Sequence, residues 1–201
     1  MKHLRKFWVS LVLLFTVDAH AISIDLVADQ TSVATGNLVS VAVNISGLND
    51  MSAPALGVYD LDVVFNNSLF AFSNLIWGDS SKGNQLDLTG FGSVQSSNLS
   101  TGLINLFELS VDDIASLNNG QAGEFTLFTL VFNAIAIGNG NFSLGANSLG
   151  DAEGEYLSLN TINNTQVAVT NVTVPEPSSW LLMLGLVAVV ILRSRMAQSS
   201  K

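Results

Sequence analysis

Chemistry in this chain of 201 residues would have to come from carboxylates. Its two histidines, His3 and His20, stand near the N-terminus, and it has no cysteine. Beyond residue 21 there is neither imidazole nor thiol, which excludes thiolate or imidazole zinc sites, Cys-His catalysis, a Ser-His-Asp triad and disulfide stapling. Asp60 and Asp62 lie two apart on a predicted strand, so both project from its outer side. There they can meet calcium or a partner's basic groups, or simply solvate the strand against aggregation. Asp151, Glu153 and Glu155 repeat at the alternating spacing of a calcium loop, but Tyr156 stands where an EF-hand needs glycine and Ile162 where it needs the closing glutamate. An EF-hand is excluded; a looser oxygen cage for calcium stays open. Asp112 and Asp113 are adjacent, and on an extended segment they diverge, unlike the facing carboxyl pair of a glycosidase. Sugar recognition rests on exposed aromatic faces, for which Trp77 and Tyr156 are the candidates, each more readily read as a packing residue. No cofactor is implied beyond that calcium.

The elements that must position these groups read as strands. Val39, Val41, Val43 and Ile45 alternate with Ser40, Ala42, Asn44 and Ser46, as a half-buried strand requires. Ile22, Ile24 and Leu26 do the same, and so do Tyr59, Leu61, Val63 and Phe65, which puts Tyr59 inward. Between Phe125 and Ala134 the apolar phase slips by one residue, which predicts a bulge or a strand buried on both faces. Asn139-Gly140 predicts a two-residue turn, with Asn141 to Leu144 returning as a strand. Leu103 to Leu109 and Thr165 to Val174 complete the set, and Gly78 to Gly102 reads as a long surface connection. Seven to nine strands without helices predict an all-β, two-sheet sandwich of jelly-roll type.

The two ends are read separately. Lys2, Arg5 and Lys6, the apolar stretch Phe7 to Val17, and Ala19-His20-Ala21 have the layout of a cleaved secretory signal helix over residues 1–21, with Ala19 and Ala21 as the small residues read by signal peptidase. At the other end, Trp180 to Leu192 is apolar and Arg193 and Arg195 follow. Thirteen helical residues rise about 20 Å against a hydrocarbon core of about 30 Å, so this transmembrane helix is short and suits a temporary anchor. Its basic end should stay cytoplasmic. Pro175 and Pro177 disfavour helix just before the span and leave Pro175-Glu176-Pro177 extended and accessible. Between the ends, Lys82 alone faces fourteen carboxylates, a formal charge of −13. Such a body repels nucleic acid and leaves cations, basic surfaces and neutral polymers as partners.

Ordered segments of residues 22–173 resemble the cohesin-type module, a nine-stranded jelly-roll sandwich related to carbohydrate-binding modules. They are Ile22 to Ala28, Val33 to Gly36, Val39 to Asp50, Leu56 to Asn66, Gly123 to Phe132 and Leu149 to Gly154. Val174-Pro175-Glu176-Pro177-Ser178-Ser179, the apolar run and the basic end resemble the PEP-CTERM sorting tail over 174–201. These resemblances imply an exported, non-enzymatic surface protein of a Gram-negative bacterium, held briefly in the inner membrane and processed by an exosortase. They further imply adhesion or exopolysaccharide and biofilm matrix association, with a dockerin-like protein or exopolysaccharide as partner; a carbohydrate-binding module is the alternative.

Overall fold

The computed structural model describes residues 21–171 and Met183. Ala19, the motif Pro175-Glu176-Pro177, Arg193 and Arg195 lie outside them, as do the expected signal helix and C-terminal span. No helix among the described residues is long and apolar enough to cross a membrane. The described residues up to Thr170 belong to one compact unit, the first of two.

In the first unit the two-residue period becomes two packed sheets. One holds β1 (Ile22–Ala28), β3 (Leu38–Ser46), β5 (Phe70–Trp77), β8 (Phe125–Ala134) and β10 (Leu159–Asn163), in the order β10-β1-β3-β8-β5. The other holds β2 (Ser32–Ala34), β4 (Leu56–Phe65), β6 (Ser93–Ser100), β7 (Leu103–Ser110), β9 (Gly138–Asp151) and β11 (Thr165–Thr170), in the order β2-β11-β9-β4-β7-β6. Pairs β1–β10 and β2–β11 are parallel, and the rest are antiparallel. The residues that alternate in sequence alternate in space: Val39, Val41, Val43 and Ile45 are wholly buried, as are Tyr59, Leu61 and Val63. Each such side chain contributes about 1.5–3 kcal/mol of transfer free energy. Phe132 lies at the aromatic centre, its ring 4.9 Å from both Phe65 and Phe142.

The phase slip in β8 is a bulge. Val43 faces Phe128 and Asn44 faces Thr126, so Leu127 is the extra residue and both Leu127 and Phe128 are buried.

Asn139-Gly140 is not a turn. Both residues lie inside β9, and the chain changes sheets between Ala134 and Gly138, whereas a two-residue hairpin would return within one sheet. Gly140 has a different reason to be glycine, since a Cβ there would come within 2.3 Å of the Phe70 ring.

The stretch 78–102 is likewise not one loop. It contains β6, an edge strand exposed on both faces, which therefore has no apolar alternation. Its first half is folded down by side-chain amides and carboxylates. Asp79 Oδ1 accepts from the N–H groups of Ser81 (2.8 Å) and Lys82 (3.0 Å), and Asp79 Oδ2 accepts from that of Thr126 (3.0 Å). The buried Gln121 side chain accepts from the Leu56 N–H (2.6 Å) and donates to the carbonyls of Leu56 (2.9 Å) and Gln85 (3.0 Å). One short helix, α1 (Ile114–Gly120), also departs from the helix-free expectation. Asp113 caps it by accepting from the Ser116 N–H at 2.9 Å. Asp112 turns away and accepts from the Leu88 N–H at 2.6 Å, so the adjacent carboxylates do diverge.

Gln121→Ala removes three buried hydrogen bonds and leaves partners unpaired. A loss of about 2–4 kcal/mol in unfolding free energy is expected from urea titration.

Candidate binding face

The outer side of β9-β4-β7-β6 assembles in rows fixed by strand register. At one end Gly150, Val58, Leu109 and Val94 stand side by side, and Val94 and Leu109 are exposed. Gly150 makes room for this row, because a Cβ there would meet Val58 Cγ1 at 2.7 Å. Ser148, Asp60, Phe107 and Ser96 form the next row, then Gly145, Asp62, Asn105 and Asn98, then Ser143, Val64, Leu103 and Ser100. Small side chains at the flanks leave the central polar group open to a partner.

That group consists of two carboxylates held by shared amides. Asn105 Nδ2 donates to Oδ1 of both Asp60 (2.7 Å) and Asp62 (2.8 Å). Asn147 is the extra residue of a bulge in β9, and its Nδ2 donates to Asp60 at 3.2 Å. No cation of the body neutralises the pair: Lys82 gives its Nζ to the Glu124 carbonyl at 2.6 Å. The face can therefore accept hydrogen bonds from ammonium, guanidinium or amide groups, flanked by aliphatic contacts.

Beneath it lies a carboxylate that sequence reading passed over. Glu108 is fully buried on the inward side of β7, beside Ile104 and Leu106. Its Oε1 accepts from Asn84 Nδ2 (2.6 Å), Ser93 Oγ (2.5 Å) and Gln95 Nε2 (2.8 Å), and its Oε2 from the Tyr59 hydroxyl (2.8 Å). One side chain thus ties β4, β6, β7 and the segment before β6 together from inside. Burial first, then the neighbouring Glu108 charge and the hydrogen bond to it, push the Tyr59 phenol far above its usual range.

This two-sheet arrangement matches solved structures. A non-cellulosomal cohesin from Archaeoglobus fulgidus aligns at 19% identity with a TM-score of 0.53, covering 75% of this chain and 92% of that one. A type I cohesin–dockerin complex from Clostridium thermocellum aligns at 15% identity and a TM-score of 0.58, covering 75% of this chain and 99% of that one. A type I cohesin from Pseudobacteroides cellulosolvens aligns at 13% and 0.59, covering 78% and 96%. The fold is cohesin-like. At residues 173–195 the sequence matches the PEP-CTERM protein-sorting motif, which indicates export with transient sorting at the membrane. No curated protein matches the chain.

The cohesin-like sandwich separates the candidate residues named from sequence. Asp151 Oδ1 accepts from the N–H groups of Glu153 (2.9 Å) and Glu155 (2.8 Å), so it shapes its own turn. No group of three or more His, Cys, Asp or Glu side chains able to hold a metal ion occurs among the described residues. Trp77 stacks edge-on against the buried Phe128 at 6.2 Å and belongs to the five-stranded sheet. Tyr156 is 74% exposed and bridges to Gly150 beside the other sheet, so the two aromatics share no platform. Ala21 is exposed immediately before β1.

Tyr59 also supplies a pH test. A phenol whose folded pKa is raised leaves stability intact below the unfolded value of about 10 and lowers it as pH rises beyond. Tyr59→Phe is expected to cost about 1–3 kcal/mol at neutral pH, by taking a donor from Glu108, and to reduce the alkaline loss. Urea unfolding at neutral and alkaline pH checks both effects, and an unchanged alkaline slope would contradict the assignment.

Proposed function

We propose that this chain is a non-enzymatic surface protein whose cohesin-like sandwich binds a basic protein partner through the outer face of β9-β4-β7-β6. The observation that carries the reading is the amide-bridged pair Asp60 and Asp62, uncompensated by any cation of the body and placed between two aliphatic rows. Charge complementarity selects Lys- or Arg-bearing partners and disfavours anionic ones. One of the matching structures is a cohesin–dockerin complex, which supports a dockerin-like module as the partner type. Sorting by an exosortase, suggested by the tail motif, would deliver the body to the outer surface or biofilm matrix of a Gram-negative bacterium. Exopolysaccharide binding is less well supported, because Trp77 packs against the core and Tyr156 stands alone.

Two measurements test this. Mass spectrometry of the mature protein should find Ile22 first and a C-terminus near Pro175-Glu176-Pro177; a retained Trp180 to Lys201 segment would contradict processing. Joint substitution Asp60→Asn and Asp62→Asn should weaken retention on producing cells about tenfold or more and flatten its salt dependence, whereas Glu153→Gln should leave both unchanged. Equal retention of all three proteins would remove the face from the proposal.

A further inference from the structure

The sandwich is polarised from end to end. Strand β8 runs from Phe125 at one end to Ala134 at the other, and β4 runs the same way from Leu56 to Phe65. The segments gathered at the first end carry Asp50, Asp79, Asp112, Asp113, Glu124 and Asp151, among other carboxylates. At the second end, residues 30–40, 63–72, 98–103, 130–142 and 165–170 come together without one charged side chain. Asp29, whose Oδ1 accepts from the Ser40 N–H at 3.1 Å, borders this end.

The uncharged end also carries exposed aliphatic side chains. Leu38 is 54% exposed, Ile135 46% and Ile137 59%. Backbone bonds hold their segments together. Gly36 N–H donates to the Ala134 carbonyl (2.7 Å), Ala134 N–H to the Asn37 carbonyl (3.0 Å) and Ile135 N–H to the Leu69 carbonyl (2.8 Å). The same turn meets the end of the last strand, because the Thr35 N–H donates to the Thr170 carbonyl at 2.9 Å. The chain therefore leaves the sandwich beside Leu38, Ile135 and Ile137. Nine residues, 171–179, separate Thr170 from Trp180, and fully extended they span about 30 Å.

We propose that the charge-free end bearing Leu38, Ile135 and Ile137 is a lipid-contact surface that seats the sandwich on the membrane while the sorting tail is attached. The inference rests on the tail's acting as a membrane anchor. A bilayer containing anionic lipid repels a body of charge −13 unless the uncharged end is presented. Three aliphatic side chains are a weak membrane ligand by themselves, since even one myristoyl chain binds marginally. A short tether raises their local concentration enough for contact, and severing it releases the body.

The chain lacks cysteine, so single cysteines can be labelled cleanly with an environment-sensitive fluorophore. Full chains carrying Ile137→Cys or, at the acidic end, Val111→Cys would be reconstituted into phosphatidylethanolamine/phosphatidylglycerol vesicles, with flotation scored alongside emission. The expected result is flotation of both, with a blue shift and quenching by doxyl-labelled lipid at position 137 only. Adding Leu38→Ser and Ile135→Ser should abolish that shift. Flotation with a water-like spectrum at 137 overturns the lipid contact and leaves the anchor standing. A blue shift insensitive to doxyl lipid assigns the end to a second copy, and overturns it too. Failure to float overturns the anchor and, with it, this inference.

Discussion

A fully buried carboxylate with no cation beside it among the described residues is the constraint on which the six-stranded sheet depends. Burying an isolated charge is far more costly than a single hydrogen bond can offset, so Glu108 is tolerable in the core only while its acceptor positions are filled. Four donors fill them, from Tyr59, Asn84, Ser93 and Gln95. Their origins explain the architecture. Ser93 and Gln95 hold β6 to the sheet edge although β6 buries almost nothing of its own, and Asn84 folds the preceding segment inward. Removing one donor would leave charge density unpaired in low dielectric, which is why the set acts as a unit.

The outer face inherits its order from this support. Tyr59 and Glu108 are register partners, and one position along each strand lie Asp60 and Phe107, on the opposite side of the same sheet. Strands fixed from within keep Asn105 bridging Asp60 and Asp62, so two like charges stand together in a defined geometry without a neutralising cation. A surface prearranged in this way loses little conformational entropy on binding. The acidic residues elsewhere mostly serve local structure: Asp79 and Asp151 shape turns, Asp113 caps a helix, and Asp112 pins the segment containing Leu88. Carboxylate abundance alone therefore says little about binding; orientation and unspent acceptor capacity say more.

Sequence made legible whatever follows from a strict two-residue period with one buried face. The inward sides of β1, β3 and β4, the position of Tyr59, the outward Asp60 and Asp62, and the bulge in β8 all belong to that class. Strand β6 escaped because a strand exposed on both sides has no apolar alternation to read. Asn139-Gly140 misled because Gly140 serves close packing against Phe70 and not a positive-φ turn. Glu108 shares the inward parity of Ile104 and Leu106, and that was the available signal. Its role stayed hidden because its donors come from positions scattered between 59 and 95. Asn105 and Asn147 were missed for a related reason: their function appears only once register places them beside Asp60.

The most direct measurement is photo-crosslinking on producing cells with a photoreactive residue at Ser96, on the outer side of β6, or at Ser40, on the outer side of the five-stranded sheet. A discrete protein adduct is expected from Ser96 and none from Ser40. Adducts of equal yield from both positions, or polysaccharide adducts alone from Ser96, would contradict binding of a protein partner through that face.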